Sequence, residues 1–226
     1  MNNRQETILQ TVITEHITTG APVSSNALVD KYGLDCSSAT VRHEMAELEE
    51  AGWIYQPHTS AGRLPTEKAY QWFVRQLSDK PLPEPEQDKL TTLLAQPRSE
   101  AIFKQTAKEL AALSGLAVFW AYHKNNVFYT GISNLLAQPE FGRHNLVYDI
   151  SAIIDRVDEI IATDFHRLPD GGVILGQACP FGAFAGAVTA HYHNDGQQGI
   201  FGIIGPVRQD YGHNLALVQF LRNTLE

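Results

Sequence analysis

A chain of 226 residues that is 43% hydrophobic and 19% charged has the composition of an ordinary globular protein, and it is long enough for one large or two modest domains. It lacks both an apolar run of the roughly 18 residues that a membrane span needs and an apolar signal core, so we expect a cytoplasmic protein without membrane association. The net charge of −8 argues against a strongly basic nucleic-acid-binding domain, and the two cysteines, Cys36 and Cys179, are too isolated for a disulfide framework.

The first fifty residues predict three helices. Apolar residues recur at helical spacing over 4–18, and Gly20 suits the position that ends such a helix. The serine pair 24–25 can cap a short second helix, and the serine pair 37–38 can cap a longer third helix that ends at Gly52. This order is typical of a helix-turn-helix.

The segment after the third helix predicts a hairpin and a fourth helix. Residues 53–57 have the aromatic and β-branched content of a strand, 58–62 are loop residues, and 63–64 can return as a second strand. Thr66 can cap the amphipathic helix that follows. Two strands around a small polar loop, directly after a helix-turn-helix, are typical of the wing of a winged helix.

Alternate prolines within 79–88 predict a stiff linker between a winged-helix domain, 1–78, and a second domain, 89–226. Strands joined to helices at both ends predict an α+β domain for sensing or dimerisation. Its predicted elements are two helices over 86–114, strands over 115–122 and 125–132, a helix over 145–162, strands over 172–177, 183–193 and 198–205, and a final helix over 209–225.

The third helix carries the main candidates for reading DNA. Its apolar stripe of Val41, Met45 and Leu48 would pack against the first two helices, which turns the opposite side of its N-terminal half toward a major groove. Small residues there permit close approach, and basic residues supply hydrogen-bond donors for base edges or phosphate. The predicted DNA-binding residues are Ser38, Ala39, Thr40, Arg42 and His43 on this helix, and His58, Thr59, Ser60 and Arg63 on the wing, where Arg63 is the one long cation at the tip.

Charge limits this prediction. Up to Lys80 the chain has seven basic and ten acidic residues, a net charge of −3, so DNA binding would need a local basic face on an acidic body. The glutamates of 47–50 fall in the C-terminal half of the third helix, which would project away from the groove, and Glu44 could pair with a neighbouring basic residue. A winged helix of this composition could also bind protein, so the pattern alone leaves both functions open.

Two parts of the sequence resemble a known family. The run SSATVRHEMAELEEAGWIYQPHTSAGRLPTEKAYQWFV at 37–74, together with RQETILQTVITEHITTGAPVSS before it, resembles the N-terminal domain of the heat-inducible transcription repressor family HrcA. Its most specific part is QPHTSAGRLPT. YTGISNLLAQPEF at 129–141 and GIFGIIGPVRQDYGHNLALV at 199–218 resemble the C-terminal GAF-like region of the same family.

The resemblance implies an α+β protein, in which an N-terminal winged helix-turn-helix is followed by a GAF-like α/β-sheet domain. It also implies a non-enzymatic repressor of chaperone genes without a cofactor, which binds double-stranded DNA as a homodimer on an inverted-repeat operator. The resemblance further implies that the operator is released on heat stress and that the chaperonin is the partner that keeps the repressor folded.

The sequence departs from the family in two places. The family's inserted dimerising domain shrinks here to the turn at 124–126, so dimerisation would rest on the GAF-like domain or on the linker helices. His43 stands where the family usually has asparagine, and an imidazole reads a base differently from a carboxamide.

Two alternatives assign the function to the second domain. One is a ligand-responsive regulator whose GAF-like domain binds a small molecule. The other is an enzyme or metal protein: His191 and His193 could be two metal ligands on one side of a strand, although the spacing marks no third ligand, and Cys179 lacks a paired base in any visible motif.

Overall fold

The structure is a computed structural model that describes residues 1–142, 153–194 and 196–226. The chain divides into two compact units, Met1–Leu77 and Ser78–Glu226. Helices and antiparallel strands occur in both units, which confirms the predicted α+β class. Over the described residues, no helix combines the length and the apolar composition needed to cross a membrane.

The first unit consists of helices followed by a two-stranded antiparallel hairpin and a last helix. Residue 54 pairs with residue 65 in the hairpin, and the loop of residues 56–63 connects its strands. The elements are α1 (Asn3–Thr19), α2 (Ser25–Tyr32), α3 (Ser38–Glu50), β1 (Ile54–Tyr55), β2 (Leu64–Pro65) and α4 (Glu67–Gln76).

Side-chain caps set the starts of these helices. Ser24 accepts a hydrogen bond from the backbone of Ala27, and Ser37 accepts one from the backbone of Thr40. Thr66 caps α4 in the same way, and Gly20 ends α1 in the left-handed conformation, with φ of 67°. Each cap satisfies a backbone group that the helix itself leaves without a partner. The predicted starts of α2, α3 and α4 are therefore confirmed to within one residue.

The core of the first unit is built from the apolar stripes of its helices. The predicted stripe of α3 is confirmed, because Val41, Met45 and Leu48 are all buried. They are buried together with Ile8, Leu9, Val12 and Ile13 of α1 and Leu28 of α2. Burying this side of α3 leaves the other side of the helix in solvent.

The second unit is a five-stranded antiparallel sheet with helices. The strand order is β4-β3-β7-β6-β5. The longest pairing joins β6 to β7, with Ala185 opposite Pro206 at one end and Asn194 opposite Gln197 at the other. The elements are α5 (Glu84–Leu94), α6 (Glu100–Ser114), β3 (Ala117–His123), β4 (Asn126–Thr130), α7 (Ile132–Leu136), α8 (Val157–Asp164), β5 (Gly172–Leu175), β6 (Ala185–Asn194), β7 (Gln197–Pro206) and α9 (Tyr211–Leu225).

Two details of the second unit differ from the sequence-based expectation. Helix α5 begins at Glu84, inside the segment 79–88 that was expected to be an extended linker, because proline is well tolerated in the first turn of a helix and Pro85 lies there. Helix α7 follows β4 directly, where the pattern predicts a strand up to residue 132. Of the helix expected over 145–162, α8 is observed, and residues 145–152 lie outside the described residues.

Aromatic side chains fill one face of the sheet. The Trp120 ring stacks with Phe103 of α6 and with Phe201 of β7, with ring centroids 5.2 and 4.7 Å away. Its indole Nε1 donates a hydrogen bond of 2.8 Å to the Tyr192 hydroxyl. A Cβ at Gly199 would lie 2.3 Å from the Tyr192 ring, so β7 needs glycine there for this ring to cross it.

The two family-like stretches of the second unit contact each other. Arg208, which follows β7, forms a salt bridge with Glu140 and donates a hydrogen bond of 3.1 Å to the side chain of Gln138. Asn134 of α7 donates to the carbonyl of Ala111 at the end of α6, at 3.0 Å. These stretches therefore hold the segment after β4 against the sheet and against α6.

Candidate nucleic-acid interface

The side chains that the sequence predicts to contact DNA lie on the N-terminal half of α3. Ala39, Arg42 and His43 are exposed, and Ser38 and Thr40 are half-buried. Arg42 forms no salt bridge with any residue that the structure describes, whereas His43 Nε2 lies 3.4 Å from Glu47 Oε1. A guanidinium without an ionic partner on an exposed helix face is available to an external acceptor.

The hydroxyls at the start of α3 are partly used within the unit. Ser38 donates a hydrogen bond to the side chain of Asn26, and its oxygen lies 3.2 Å from the Ser25 hydroxyl. The Ser37 and Thr40 hydroxyls are 2.9 Å apart. The two bonds of Ser38 fix the start of α3 against α2, so the exposed side chains that follow project from a fixed element.

The glutamates of α3 contact neighbouring elements. The buried Glu44 forms the expected salt bridge with a basic neighbour, Arg4 of α1, at 3.3 Å. Glu47 accepts a hydrogen bond of 2.6 Å from the side chain of Gln5, also on α1. Charges that look unfavourable for DNA binding in the sequence therefore help to hold α3 on α1.

The loop 56–63 is ordered by its own hydrogen bonds. The Gln56 side-chain amide donates to the backbone carbonyls of Thr59 and Ala61, at 3.0 and 2.8 Å. His58, Thr59 and Ser60 are exposed, and the Ser60 hydroxyl lies 3.3 Å from His58 Nδ1. The three predicted contact residues thus lie together at the tip of the loop.

Arg63 lies elsewhere than the sequence analysis predicts. Its Nε donates to Glu49 Oε2 at 2.8 Å, and its side chain is only 19% exposed. Its backbone forms an antiparallel bridge with Val23, through hydrogen bonds of 2.9 and 2.8 Å. Arg63 therefore belongs to the base of the loop, because the carboxylate of α3 holds its guanidinium there, and it is not the free cation expected at the tip.

Gly62 permits this bridge. An added Cβ at residue 62 would lie 2.4 Å from the Val23 carbonyl oxygen, a distance that a carbon side chain cannot adopt. The glycine of the string QPHTSAGRLPT is thus required by a close approach of two backbones.

A groove of about 460 Å³ separates α3 from the loop. Arg42 lies on one wall, and Thr59 and Ser60 lie on the other. Ser24 and Ser25, at the start of α2, also line it. The sequence does not predict that these two serines line the groove, because their position depends on how α2 packs beside the hairpin. The groove brings together two cations, Arg42 and the Glu49-paired Arg63, and several hydroxyls, which is a suitable chemistry for phosphate oxygens.

The candidate nucleophile and metal ligands of the second unit are Cys179, His191 and His193. Burial raises the pKa of the Cys179 thiol to about 11, so the thiol stays protonated and is a poor nucleophile. His191 Nε2 lies 3.3 Å from the Leu168 carbonyl. In the part of the chain that the structure describes, no three His, Cys, Asp or Glu side chains are grouped as metal ligands would be.

The family model and the curated relatives agree on one family. The family model of the HrcA protein C-terminal domain matches residues 40–214. A heat-inducible transcription repressor HrcA of Natranaerobius thermophilus is 43% identical over 118 residues, which are 50% of this chain and 34% of that protein. The heat-inducible transcription repressor HrcA of Mycobacteroides abscessus is 52% identical over 82 residues, which are 36% of this chain and 24% of that protein.

The heat-inducible transcription repressor HrcA of Arthrobacter sp. is 34% identical over 160 residues, which are 70% of this chain and 48% of that protein. The chain therefore matches less than half the length of these relatives. Among solved structures, a 2.2 Å crystal structure of a protein described as hypothetical has a TM-score of 0.75 and 18% identity, and covers 100% of this chain and 96% of its own. That likeness concerns the fold.

Proposed function

This chain belongs to the HrcA family, and on that basis we propose that it is a DNA-binding transcription repressor of heat-shock genes. It would act as a homodimer on an inverted-repeat operator in the cytoplasm, because two-fold-related subunits match the symmetry of such an operator. The relatives bear the name of heat-inducible transcription repressors, which supports a regulatory role and not a catalytic one.

The observation that carries the proposal is the exposed face of α3 beside the groove. On this proposal the first unit is a winged helix: α3 enters the major groove, and the loop 56–63 is its wing. Arg42 and His43 would contact base edges or phosphates, and Ala39 and Thr40 would allow the close approach. Ser38 and the tip residues 58–60 would bind the backbone, together with the serines of the groove.

The acidic body of the chain is compatible with this role. The net charge is −8, but Glu44 pairs with Arg4 and Glu49 pairs with Arg63, so these two carboxylates of α3 have an ionic partner within the unit. Since few cations would face the DNA, we expect binding that depends more on base contacts and less on salt than that of a basic domain.

We further propose that the second unit is a GAF-like domain for regulation and dimerisation. Its five-stranded antiparallel sheet with helices supports this assignment. The chaperonin is the proposed partner that keeps the repressor competent for binding, by analogy with the family.

The test is binding to a fluorescent inverted-repeat chaperone operator and to a scrambled duplex, over a series of salt concentrations. The proposal requires saturable preference for the operator with two protomers per site. Equal and weak binding to both duplexes would contradict specific repression, and absence of binding would leave protein interaction as the function of the first unit.

A further inference from the structure

One carboxylate of α3 contacts both ends of the loop 56–63. Glu49 Oε1 accepts a hydrogen bond of 2.9 Å from the backbone N–H of Gln56, where the loop begins. Glu49 Oε2 accepts one of 2.8 Å from Arg63 Nε, where the loop ends. The two oxygens of a single side chain therefore fix the loop to the same helix that carries Arg42.

The residues that Glu49 contacts organise the rest of the loop. The Gln56 side chain binds the carbonyls of Thr59 and Ala61 from within the loop, and the Arg63 backbone is bridged to Val23. The position of the loop tip thus depends on a chain of contacts that starts at Glu49. Glu49 is 33% exposed, and its partner Arg63 is 19% exposed, so the pair is partly shielded from water.

We propose that Glu49 is a positioning residue for DNA binding: it sets the distance between the loop tip and the reading face of α3 without touching DNA. The inference rests on the proposed DNA-binding function. It assigns a role to a negatively charged residue next to the groove, where charge alone would make a carboxylate unfavourable for binding a polyanion.

The direction in which DNA affinity changes when Glu49 is removed distinguishes a positioning role from a purely electrostatic one. If Glu49 matters only through its charge, its removal should strengthen DNA binding, because a negative charge is lost and Arg63 becomes available to phosphate. If Glu49 positions the loop, its removal should weaken binding. Glu49→Gln keeps an oxygen for the Gln56 N–H but loses the ion pair, whereas Glu49→Ala loses both contacts.

The matched control is Glu50→Ala in the full chain. Glu50 is the exposed neighbour on α3, and it forms no salt bridge with any residue in the described ranges. Its replacement changes the net charge by the same amount as Glu49→Ala. Melting temperatures of all variants establish that each one is folded at the temperature of the assay.

Titrations of the inverted-repeat operator give the test. We expect Glu50→Ala to bind as well as or better than the wild type, Glu49→Gln to bind about tenfold more weakly, and Glu49→Ala more weakly still. Hydroxyl-radical footprints should lose the protection that the loop gives and keep the protection from α3. The exchange Glu49→Arg with Arg63→Glu should recover part of the affinity lost in either single variant.

Unchanged or tighter binding by folded Glu49→Ala, with an intact footprint, would overturn the inference. If Glu49→Ala does not fold, Glu49→Gln and the charge exchange decide by the same criteria. A wild-type chain that shows no preference for the operator overturns the proposed function itself, and the inference with it.

Discussion

Lys31 Nζ of α2 lies 2.6 Å from Glu15 Oε2 of α1, and the same oxygen accepts a hydrogen bond of 2.7 Å from the Tyr32 hydroxyl. The hydrogen bond from Lys31, and then that from Tyr32, hold the pKa of the buried Glu15 carboxyl below its usual range. Burial and the bond to Glu15 raise the pKa of Tyr32 to about 12, so the hydroxyl remains a donor. This contact joins the two helices on which α3 packs.

The first prediction concerns pH. Because the folded-state pKa of Glu15 is lowered, its contribution to stability is present above the unfolded pKa of about 4.3 and is lost as the pH falls through the folded value. Urea unfolding at pH 7 should therefore show Glu15→Gln to be less stable than the wild type, by about 1–2 kcal/mol. The difference should shrink toward pH 3. Glu6→Gln, at an exposed glutamate of α1, is the control, and an equal pH dependence for both variants would contradict the prediction.

The second prediction concerns Arg42. Arg42→Ala should weaken operator binding by about 1–3 kcal/mol if the guanidinium reads a base, and the loss should be much smaller for a scrambled duplex. Arg75→Ala, at an exposed position near the end of α4 and outside the groove, removes the same charge and should have little effect. Fluorescence anisotropy measures both. An equal loss on both duplexes would assign Arg42 to phosphate, and no loss would remove it from the interface.

The third prediction concerns the bridge at the base of the loop. Gly62→Ala should force the Val23 and Arg63 backbones apart and weaken operator binding, because an added Cβ would lie 2.4 Å from the Val23 oxygen. In Gly33→Ala the new Cβ meets no atom within 4 Å, but the residue keeps a φ of +59°, which costs about 1–2 kcal/mol of stability. Chemical denaturation and operator titration should therefore separate the variants. Gly33→Ala should lose stability alone, and a folded Gly62→Ala with wild-type affinity would speak against a fixed loop.

The fourth prediction concerns the second unit. Tyr192→Phe leaves the buried Trp120 Nε1 without its hydrogen-bond acceptor, which should cost about 1–3 kcal/mol of stability. Tyr129→Phe removes a hydroxyl from an exposed tyrosine and should cost almost nothing. The loss of stability caused by Tyr192→Phe should be smaller when Trp120 is already replaced by phenylalanine. Thermal unfolding of the wild type, Tyr192→Phe, Trp120→Phe and the double variant measures this difference. Equal costs in both backgrounds would show that the hydrogen bond contributes little.

Local features of the first unit were predictable from the sequence. The caps at Ser24, Ser37 and Thr66, and the glycine that ends α1, act within a few residues of their own positions, so a short window contains the whole interaction. Most strands of the second unit were predictable for the same reason, because continuous apolar runs between turn residues mark them.

Features that depend on distant pairing were not predictable. Glu49 and Arg63 lie 14 positions apart, and nothing in the spacing indicates that the charge of one holds the other at the base of the loop. The same holds for Ser24 and Ser25, which line a groove whose other wall comes much later in the chain. Helix α7 has only five residues, too few to display a helical period next to the strand pattern of β4.

The bridge between Val23 and Arg63 has one more consequence. Val23 leads directly into α2, so the loop cannot swing outward without pulling on the start of that helix. Opening of the loop and fraying of α2 should therefore occur as one event, and the amide protons of residues 23 and 63 should exchange with solvent deuterium at matching rates. Warming would then loosen the loop and the start of α2 together, and not one after the other.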